Sequence, residues 1–381
     1  GDVYKRQGVD KVNLYSSAIE GMYLNPHAPE LFRNIFKNTF LPFKDPVTLN
    51  MFLKEINDFH YSHSEKLGDA FEYLISIMGS QGDAGQFRTP RHIIDFMVEI
   101  IDPQKNETIL DPACGTAGFL ISSYKHILNT NTDKRLGDKL SAEDKKIVGN
   151  NVTGYDISPE MIRLSLVNMY LHGFNTPRID EYDTLSSEDK WNEYFDVIIA
   201  NPPFFSPKGG IQPHKRFGVE SKKAEVLFTS YILEHLNPKG RAGIIVPEGI
   251  HFTKNKAYKD LRLSLLDLGL IADITLPHGV FKPYASVKTH ILIIDKELAK
   301  TKKEILFIEI KNDGFTQTDT RLPIEGEELS SSLETFREFI TSKDNFKRLQ
   351  SPLAYSVSRE EILSNTLFNL LGRHYDLKNR Q

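Results

Sequence analysis

The chain has 381 residues, of which 40% are hydrophobic and 26% are charged, a composition that is typical of a globular protein and excludes an intrinsically disordered one. Its net charge of −4 excludes a globally basic nucleic-acid binder, so any attraction to nucleic acid must be local or supplied by a partner. Its single cysteine, Cys114, excludes an intramolecular disulfide and a cysteine-built zinc site.

Residues 9–80 have the pattern of helices. Apolar residues recur at three- and four-residue steps, as in Phe52, Ile56 and Phe59. A glycine-rich run, residues 79–85, follows and favours a flexible break between domains. The sequence therefore predicts a helical N-terminal domain over residues 1–80. Because the chain begins with Gly1 rather than a methionine, we expect this domain to lack its natural start.

After this break, short apolar strands alternate with longer amphipathic helices. The predicted strands are Thr108–Leu110, Val152–Tyr155, Phe195–Ala200, Gly243–Val246, Ile271–Leu276 and Thr289–Ile294, and the predicted helices are His92–Ile101, Gly118–Leu128, Pro159–His172, Lys223–Leu236 and Ala257–Leu268. The last two strands are expected to pair antiparallel. The alternation predicts a doubly wound, mostly parallel α/β sheet over residues 81–300, whose sites lie at the carboxyl ends of its strands.

The remaining segments are less regular. Residues 129–150 are polar and charged, which indicates an insertion between the first helix and the second strand. Residues 301–381 form a C-terminal extension, in which Glu304–Glu309 predicts a strand and Ser331–Phe346 a helix. No run of about 18 apolar residues and no leader pattern is found, so we expect no membrane span and a cytoplasmic location.

A strand that ends in a carboxylate runs into a loop of small residues at Asp111–Gly118. Gly115 and Gly118 have no side chains, so a ligand can approach the backbone closely. Asp111 can accept a hydrogen bond from the ammonium group of a ligand. The loop has neither the G-x-G-x-x-G pattern nor a lysine, which disfavours a phosphate cradle. The alternative is a tight strand-to-helix turn that binds nothing.

Two further carboxylates follow strands. Asp156 ends the second strand, where nucleotide-binding folds hold ribose hydroxyls. It could instead only start the helix that follows Ser158 and Pro159. Asp183 lies where a third strand would end, and it could accept a hydrogen bond from the amino group of a cofactor's adenine. The sequence is at least as compatible with Asp183 being a turn residue that contacts no cofactor.

The most specific motif is an apolar strand, Phe195–Ala200, that ends in Asn201-Pro202-Pro203-Phe204. Two prolines stiffen the turn, so the Asn201 amide and the Pro202 carbonyl can present two acceptor oxygens to one point. An amino group on a heteroaromatic ring is a poor nucleophile, because its lone pair is delocalised. Two acceptors would favour a pyramidal nitrogen, and Phe204 would offer a flipped base an aromatic face. The alternative is a proline turn that is only structural.

Two flanking segments fit the same kind of site. Gln86–Arg91 precedes the predicted helix His92–Ile101 and is either a helix start or, beside the other motifs, a lid over a cofactor. Ser206–Lys223 carries five lysine and arginine residues against one glutamate, so its net charge is +4. A basic loop at the mouth of a base pocket suits phosphate contacts, although a solvated loop is equally compatible.

In this order, Gln86–Arg91, Asp111–Phe119 and Asn201–Phe204 resemble the gamma-type amino-methyltransferases that act on adenine in DNA. Further segments resemble the methylation (M) subunit of type I restriction–modification systems. The first of these segments begins with Asp156–Pro159 and ends with Leu171–Gly173. The other two are Gly240–Gly249 and Val287–Leu292. The resemblance covers about residues 60–320. It implies a Rossmann-like fold dependent on S-adenosylmethionine, and transfer of its methyl group to N6 of adenine.

The residues and the resemblance together give the predicted site. The predicted catalytic residues are Asn201, Pro202, Pro203 and Phe204, which would hold the target adenine. The predicted cofactor-binding residues are Gln86, Phe87, Arg88, Thr89, Pro90, Arg91, Asp111, Ala113, Gly115, Thr116, Ala117, Gly118, Asp156 and Asp183. No metal is expected to be required.

The resemblance also implies partners. Family members work as two methylation subunits around one specificity (S) subunit, which reads double-stranded DNA, and a restriction (R) subunit joins for cleavage. A specificity subunit would account for the missing global basic charge. Leu367–Tyr375 resembles a junction after which the family continues with helices that hold the specificity subunit. We therefore expect the chain to be a fragment.

Two classes of alternative stay open. The same proline turn serves methyltransferases of cytosine N4, of RNA guanine and of protein glutamine. A catalytically idle subunit that only clamps DNA is the second class. The chain has no G-x-x-x-x-G-K-[ST] motif, so it is not the ATP-driven translocase of a restriction complex.

Overall fold

The computed structural model describes residues 10–58, 64–78, 88–283, 285–342, 346–348 and 352–375. The helices are α1 (Lys11–Leu24), α2 (Glu30–Phe36), α3 (Pro46–Asp58), α4 (Ser64–Met78), α5 (Arg91–Ile101), α6 (Gly118–Thr130), α7 (Ala142–Asn150), α8 (Pro159–Leu171), α9 (Ala224–His235), α10 (Gly249–Phe252), α11 (Lys256–Leu268), α12 (Leu329–Thr341) and α13 (Arg359–Ser364). The strands are β1 (Ile109–Asp111), β2 (Val152–Asp156), β3 (Arg178–Glu181), β4 (Phe195–Ala200), β5 (Leu236–Pro247), β6 (Leu270–Thr275), β7 (Thr289–Asp295), β8 (Glu304–Glu309), β9 (Lys347–Arg348) and β10 (Leu353–Ser358).

These strands form one sheet in the order β3-β2-β1-β4-β5-β7-β6-β8-β10-β9. The strands from β3 to β5 in that order are all parallel. Strand β7 then runs antiparallel to both β5 and β6. The predicted doubly wound sheet and its predicted antiparallel pair are therefore confirmed.

Helices cover both faces of this sheet, and the strands show why. Along β4, Val197 and Ile199 pack into one apolar cluster, together with α5, α6 and α8. Ile198 and Ala200 pack into a second cluster, together with α9 and α11. Successive side chains of a strand point to opposite faces, so a strand with apolar side chains on both faces requires a cover on both sides.

The predicted N-terminal helices are present as α1 to α4. Helix α2 packs on α8, where the rings of Phe32 and Tyr170 meet edge-to-face with centroids 5.3 Å apart. Arg163 of α8 also donates to the carbonyl oxygen of Lys37 at 3.1 Å. The predicted break at residues 79–85 lies outside the described residues, and the predicted domain limits stay a prediction.

Several elements differ from the sequence-based expectation. The polar insertion contains an additional helix, α7, whose first turn is closed by a capping box between Ser141 and Asp144. Strand β5 begins at Leu236, seven residues before the predicted start, because it also pairs with the beginning of β4. The C-terminal extension supplies β8, β10 and β9 to the same sheet. Strands β9 and β10 were not predicted.

Gly154 in β2 shows how closely the elements around this strand pack against it. A Cβ atom at this position would lie 2.8 Å from Ile179 Cδ1, 2.9 Å from Cys114 Sγ and 2.9 Å from Leu120 Cδ1. We expect Gly154→Ala to lower the free energy of unfolding by about 1–3 kcal/mol, because three buried groups must move. Urea unfolding would measure this change.

Gly149 of α7 is the matched control. In the part of the chain that the structure describes, nothing lies within 4 Å of the position of its Cβ, and alanine is the better helix former by about 0.5–1 kcal/mol. Gly149→Ala is therefore expected to preserve or raise stability. Equal effects of the two substitutions would contradict the packing argument.

Candidate active site

The carboxyl ends of β1, β2 and β4 meet at one cavity of about 1160 Å³. Fourteen of the predicted site residues line it: Arg88, Thr89, Pro90, Arg91, Asp111, Ala113, Gly115, Thr116, Gly118, Asp156, Asp183, Asn201, Pro202 and Pro203. Ala117 and Phe204 are not on its wall, and Gln86 and Phe87 lie outside the described residues. The volume exceeds the roughly 300–1,000 Å³ of a pocket for one small ligand. It leaves room for a cofactor and a base together.

The loop after β1 has the backbone of a ligand cradle. Gly115 has a φ of +52°, and no atom of the described residues lies within 4 Å of the position of its missing Cβ, so a ligand can approach the backbone there. The buried Ala117 also has a left-handed φ, +65°. This conformation costs an L-residue roughly 1–2 kcal/mol, and such strain concentrates at functional sites.

Two carboxylates accept hydrogen bonds from amides of this loop. Asp156 accepts hydrogen bonds from the amides of Gly115 at 3.0 Å and Ser158 at 2.8 Å. Burial raises the pKa of Asp111 to about 8, and the neighbouring Asp156 adds to the rise, while the Ala113 amide opposes it. Burial also raises the pKa of Asp156. This pair favours a ligand that brings positive charge to Asp111.

Asn201 begins the proline turn after β4. Its Nδ2 donates to Thr89 Oγ1 at 2.9 Å. In the described part of the chain, its Oδ1 is buried and has no hydrogen-bond partner. A buried acceptor without a donor is costly unless a ligand supplies one. The arrangement therefore fits a ligand with an N–H group at this end of the cavity.

The two phenylalanines of the turn are placed differently. Phe204 is 8% exposed, and its ring meets Phe281 edge-to-face with centroids 6.2 Å apart. Phe205 is 60% exposed and lines the cavity. The stacking role of Phe204 stays a prediction that requires this side chain to become accessible. Phe205 was not singled out from the sequence, although it follows the motif directly.

Asp183 lines the cavity, but its carboxylate also closes its own turn. Its Oδ1 accepts from the amides of Leu185 at 3.0 Å and Ser186 at 3.1 Å. Its Oδ2 contacts the Ser186 hydroxyl. These bonds support the turn-residue interpretation, and the predicted contact with a cofactor adenine stays a prediction.

The N-terminal helices contribute a residue that sequence reasoning missed. Glu72 of α4 forms an ion pair with Arg91, and its Oε1 accepts from Asn168 Nδ2 at 3.4 Å. Asn168 Nδ2 also donates to the Thr116 carbonyl oxygen at 2.9 Å. Glu72 thus links the predicted lid to the loop after β1. No local sequence signal marks this contact, because it joins segments far apart in the chain.

Two clusters of described residues have the side chains and spacing of metal ligands. They are His251, Asp273 and His290, and Asp69, Glu72 and His172. In the first, Asp273 contacts both histidines directly, with Oδ1 2.7 Å from His290 Nδ1. In the second, the two carboxylates pair with Lys125 and Arg91. The carboxylates of both clusters thus have protein partners, and the prediction that no metal is required stays a prediction.

The fold and the site together define a class. A doubly wound sheet that brings acidic strand ends and an Asn-Pro-Pro-Phe turn to one cavity is the architecture of a Rossmann-like methyltransferase. Asp111, Gly115 and the buried Oδ1 of Asn201 fit a cationic cofactor and an amino substrate side by side.

Comparisons with known proteins identify the family. The chain matches the N-6 DNA Methylase family over residues 62–381. It is 30% identical to the type I restriction enzyme EcoEI methylase subunit of Escherichia coli, over 91% of this chain and 69% of that protein. It is 28% identical to the StySPI methylase subunit of Salmonella potsdam, over 77% of this chain and 57% of that protein. A crystal structure of a modification subunit from Vibrio vulnificus YJ016 has a TM-score of 0.73 at 26% identity, over 90% of this chain and 72% of that one.

The chain therefore belongs to the N-6 DNA methylase family. The predictions of this family, of its Rossmann-like fold and of an adenine-specific DNA methyltransferase are confirmed at the level of the family, and the family and fold imply use of S-adenosylmethionine. The chain spans 69% and 57% of the two curated relatives. Within the described ranges, no helix has both the length and the apolar character needed to cross a bilayer. The cytoplasmic location stays a prediction.

Proposed function

We propose that this chain is the methylation subunit of a type I restriction–modification system and transfers a methyl group from S-adenosylmethionine to N6 of adenine in DNA. The observation that carries the proposal is the buried Oδ1 of Asn201, which has no hydrogen-bond partner among the described residues and belongs to a side chain that lines the same cavity as Asp111 and Gly115. An acceptor there suits an exocyclic amino group, and the remaining cavity suits a cofactor.

The bound cofactor would supply an electrophilic methyl group on a sulfonium. Asp111 would bind its ammonium group, and Asp156 its ribose hydroxyls. Both oxygens of Asp156 already accept amide hydrogens, yet each retains a further lone pair. The Gly115 backbone would allow the methionine part to lie against the loop.

Asn201 Oδ1 and the Pro202 carbonyl would each accept one hydrogen of the target amino group. This would hold the nitrogen with its lone pair exposed toward the methyl group. The base must leave the duplex to reach the cavity. Positioning then supplies most of the rate enhancement, and no general base is needed before the transfer, because the amine loses its proton after attack.

Radiolabel transfer tests the function. The chain assembled with its specificity subunit is incubated with DNA and methyl-labelled S-adenosylmethionine, and the DNA is digested to nucleosides for mass spectrometry. N6-methyladenine is the expected product. Detection of N4-methylcytosine would show that cytosine is the substrate instead of adenine. Label found only in RNA or protein would show that DNA is not the substrate. Cofactor binding without any transfer would favour a subunit that only clamps DNA.

The basic loop Ser206–Lys223 is the proposed phosphate contact. All five of its cations are exposed. The loop is held by hydrogen bonds, from the Ala224 amide to Ser206 Oγ at 2.9 Å and from the His214 amide to the Leu185 carbonyl oxygen at 3.1 Å. A basic surface that is both exposed and anchored beside the cavity suits the backbone of DNA whose base has entered the pocket.

Removal of the four loop lysines should weaken DNA binding without changing its sequence preference. The variant replaces Lys208, Lys215, Lys222 and Lys223 with alanine. Because each phosphate contact contributes about one unit to the slope of log affinity against log salt, we expect a slope shallower by up to about 3–4 units. Fluorescence anisotropy of the assembled enzyme on labelled DNA at several salt concentrations measures it.

The matched control removes four exposed lysines of the insertion at residues 129–150. They are Lys134, Lys139, Lys145 and Lys146. This variant has the same change in net charge but leaves the cavity mouth intact. Equal slopes for the two variants would remove the basic loop from the DNA interface.

The partners are proposals as well. We propose double-stranded DNA, a specificity subunit, a second methylation subunit and, for cleavage, a restriction subunit. The relatives' names, which call them methylase or modification subunits, support an assembly. A net charge of −4 also supports recognition of DNA through a partner chain.

A further inference from the structure

The catalytic amide has a protein partner on its nitrogen end. Asn201 Nδ2 donates to Thr89 Oγ1 at 2.9 Å, while Oδ1 is buried and unpartnered within the described residues. The two residues lie 112 positions apart in the sequence. The resemblance assigned Thr89 to the cofactor, and neither motif indicates that its hydroxyl contacts the amide of Asn201.

The two ends of a carboxamide are alike in shape and opposite in function. The oxygen accepts hydrogen bonds, and the nitrogen donates two. A target amino group that must give up both hydrogens needs the oxygen, and an amide turned by 180° would direct its own N–H groups at the amine. In the observed orientation Thr89 Oγ1 accepts from the nitrogen end, which leaves the oxygen available to the substrate.

Thr89 is well held for that purpose. The residue before a proline is restricted to an extended backbone, and Thr89 precedes Pro90. Pro90 caps helix α5, and α5 is fixed in the core by fully buried side chains such as Ile93 and Met97. The hydroxyl therefore sits on a rigid element rather than on a free loop.

We propose that Thr89 is a positioning residue for methyl transfer: it orients the carboxamide of Asn201 so that Oδ1 faces the target amino group. The inference rests on the proposed function, since it assigns a role to Thr89 in that reaction. It differs from a cofactor contact in one measurable way. Loss of the hydroxyl should lower kcat and leave the affinity for S-adenosylmethionine unchanged.

The test compares Thr89→Val and Thr89→Ser in the assembled enzyme. Valine keeps the volume of threonine without its hydroxyl, and serine keeps the hydroxyl. Loss of one such hydrogen bond corresponds to a fall in kcat of roughly tenfold for Thr89→Val. Serine should retain most of the wild-type kcat, and calorimetry should give an S-adenosylmethionine Kd within about twofold of wild type for both. Rates are taken for whichever methylated base the wild-type enzyme forms.

A second readout is independent of catalysis. Selective ¹⁵N-asparagine labelling reports the side-chain amide of Asn201, whose signals are assigned by their loss in Asn201→Ala. One amide hydrogen should exchange slowly in the wild type and in Thr89→Ser, and rapidly in Thr89→Val. Unchanged exchange in Thr89→Val would overturn the proposal, as would a rise in Kd that accounts for the whole loss of activity. A wild-type enzyme that methylates nothing would refute the proposed function, and the exchange measurement would still decide whether Thr89 holds the side-chain amide of Asn201.

Discussion

Asn201→Ala is expected to abolish methylation and to leave cofactor binding intact. The substitution removes the buried oxygen that has no hydrogen-bond partner among the residues the structure describes, so the target amino group loses the acceptor that would expose its lone pair. Loss of one preorganised hydrogen-bonding group at a reacting centre typically lowers kcat by about 100- to 1,000-fold. Single-turnover methylation by the assembled enzyme measures the loss, and calorimetry with S-adenosylmethionine should give a Kd within about twofold of wild type.

Asn237 is the control for this substitution. It lies at the opposite end of the sheet from the cavity, where its Nδ2 donates to Asp196 Oδ1 at 2.7 Å. Asn237→Ala removes a side-chain amide of the same kind from the beginning of β5, the strand beside β4, and this variant is expected to methylate at the wild-type rate. Methylation by Asn201→Ala at the rate of this control would remove Asn201 from the reaction.

The site was largely predictable because parallel strands end at a common edge. Asp111 and Asn201 are 90 positions apart, yet each directly ends or follows a strand whose apolar run is evident in the sequence. Strands β1 and β4 are adjacent and parallel, with Leu110 paired to Ile198. Residues at their carboxyl ends therefore lie near each other once the strand order is correct. The apolar pattern and the alternation with helices predicted the parallel, doubly wound sheet, and the structure supplied the strand order.

Contacts between segments that share no local pattern were not predictable. The amphipathic pattern of residues 64–78 predicts a helix, but it does not indicate that Glu72 would reach Arg91. Strand β10 alternates poorly between buried and half-buried positions, so the period-2 signal of a strand is weak there. The exposure of Phe205 and the burial of Phe204 depend on the path of the chain after two prolines. Motif matching alone would assign the aromatic contact to Phe204.

The electrostatics of Asp111 also required the structure, because its pKa depends on burial. A carboxyl with a pKa of about 8 is largely protonated at neutral pH. A cationic ligand favours the ionised form, so binding of S-adenosylmethionine should release a proton from Asp111. Between pH 6 and pH 7.5, the affinity of the wild type is expected to rise about 20-fold, which follows from a pKa of 8 in the free protein. Calorimetry in buffers of different ionisation enthalpy would count the released protons.

Asp111→Asn tests both the charge and the linkage. Asparagine can keep the acceptor for the Ala113 amide, which now bonds Asp111 Oδ1 at 3.1 Å, and it cannot ionise. At pH 7.5 we expect the variant to bind S-adenosylmethionine about 10- to 100-fold more weakly, as for the loss of a charge-assisted hydrogen bond. The difference in affinity between the variant and the wild type should become smaller toward pH 6, because the wild-type carboxyl is then protonated and uncharged, like the asparagine. An affinity of the variant that rises with pH as steeply as that of the wild type would contradict the assignment.

The stability of the ligand-free protein should fall as the pH rises, whereas its affinity for S-adenosylmethionine should increase. The pKa of Asp111 in the folded state, about 8, lies above its ordinary value of 3.8, so the folded state holds a proton that the unfolded state releases. The contribution of this group to stability is therefore complete below about pH 4 and falls as the pH rises through 8. Asp111→Asn removes that loss, and its thermal midpoint at pH 8.5 should exceed that of the wild type. If Asp111 only stabilised the fold, Asp111→Asn would lower the thermal midpoint and also weaken binding of S-adenosylmethionine. If the buried carboxylate serves a cationic ligand, it raises the affinity for that ligand and lowers the stability of the ligand-free protein.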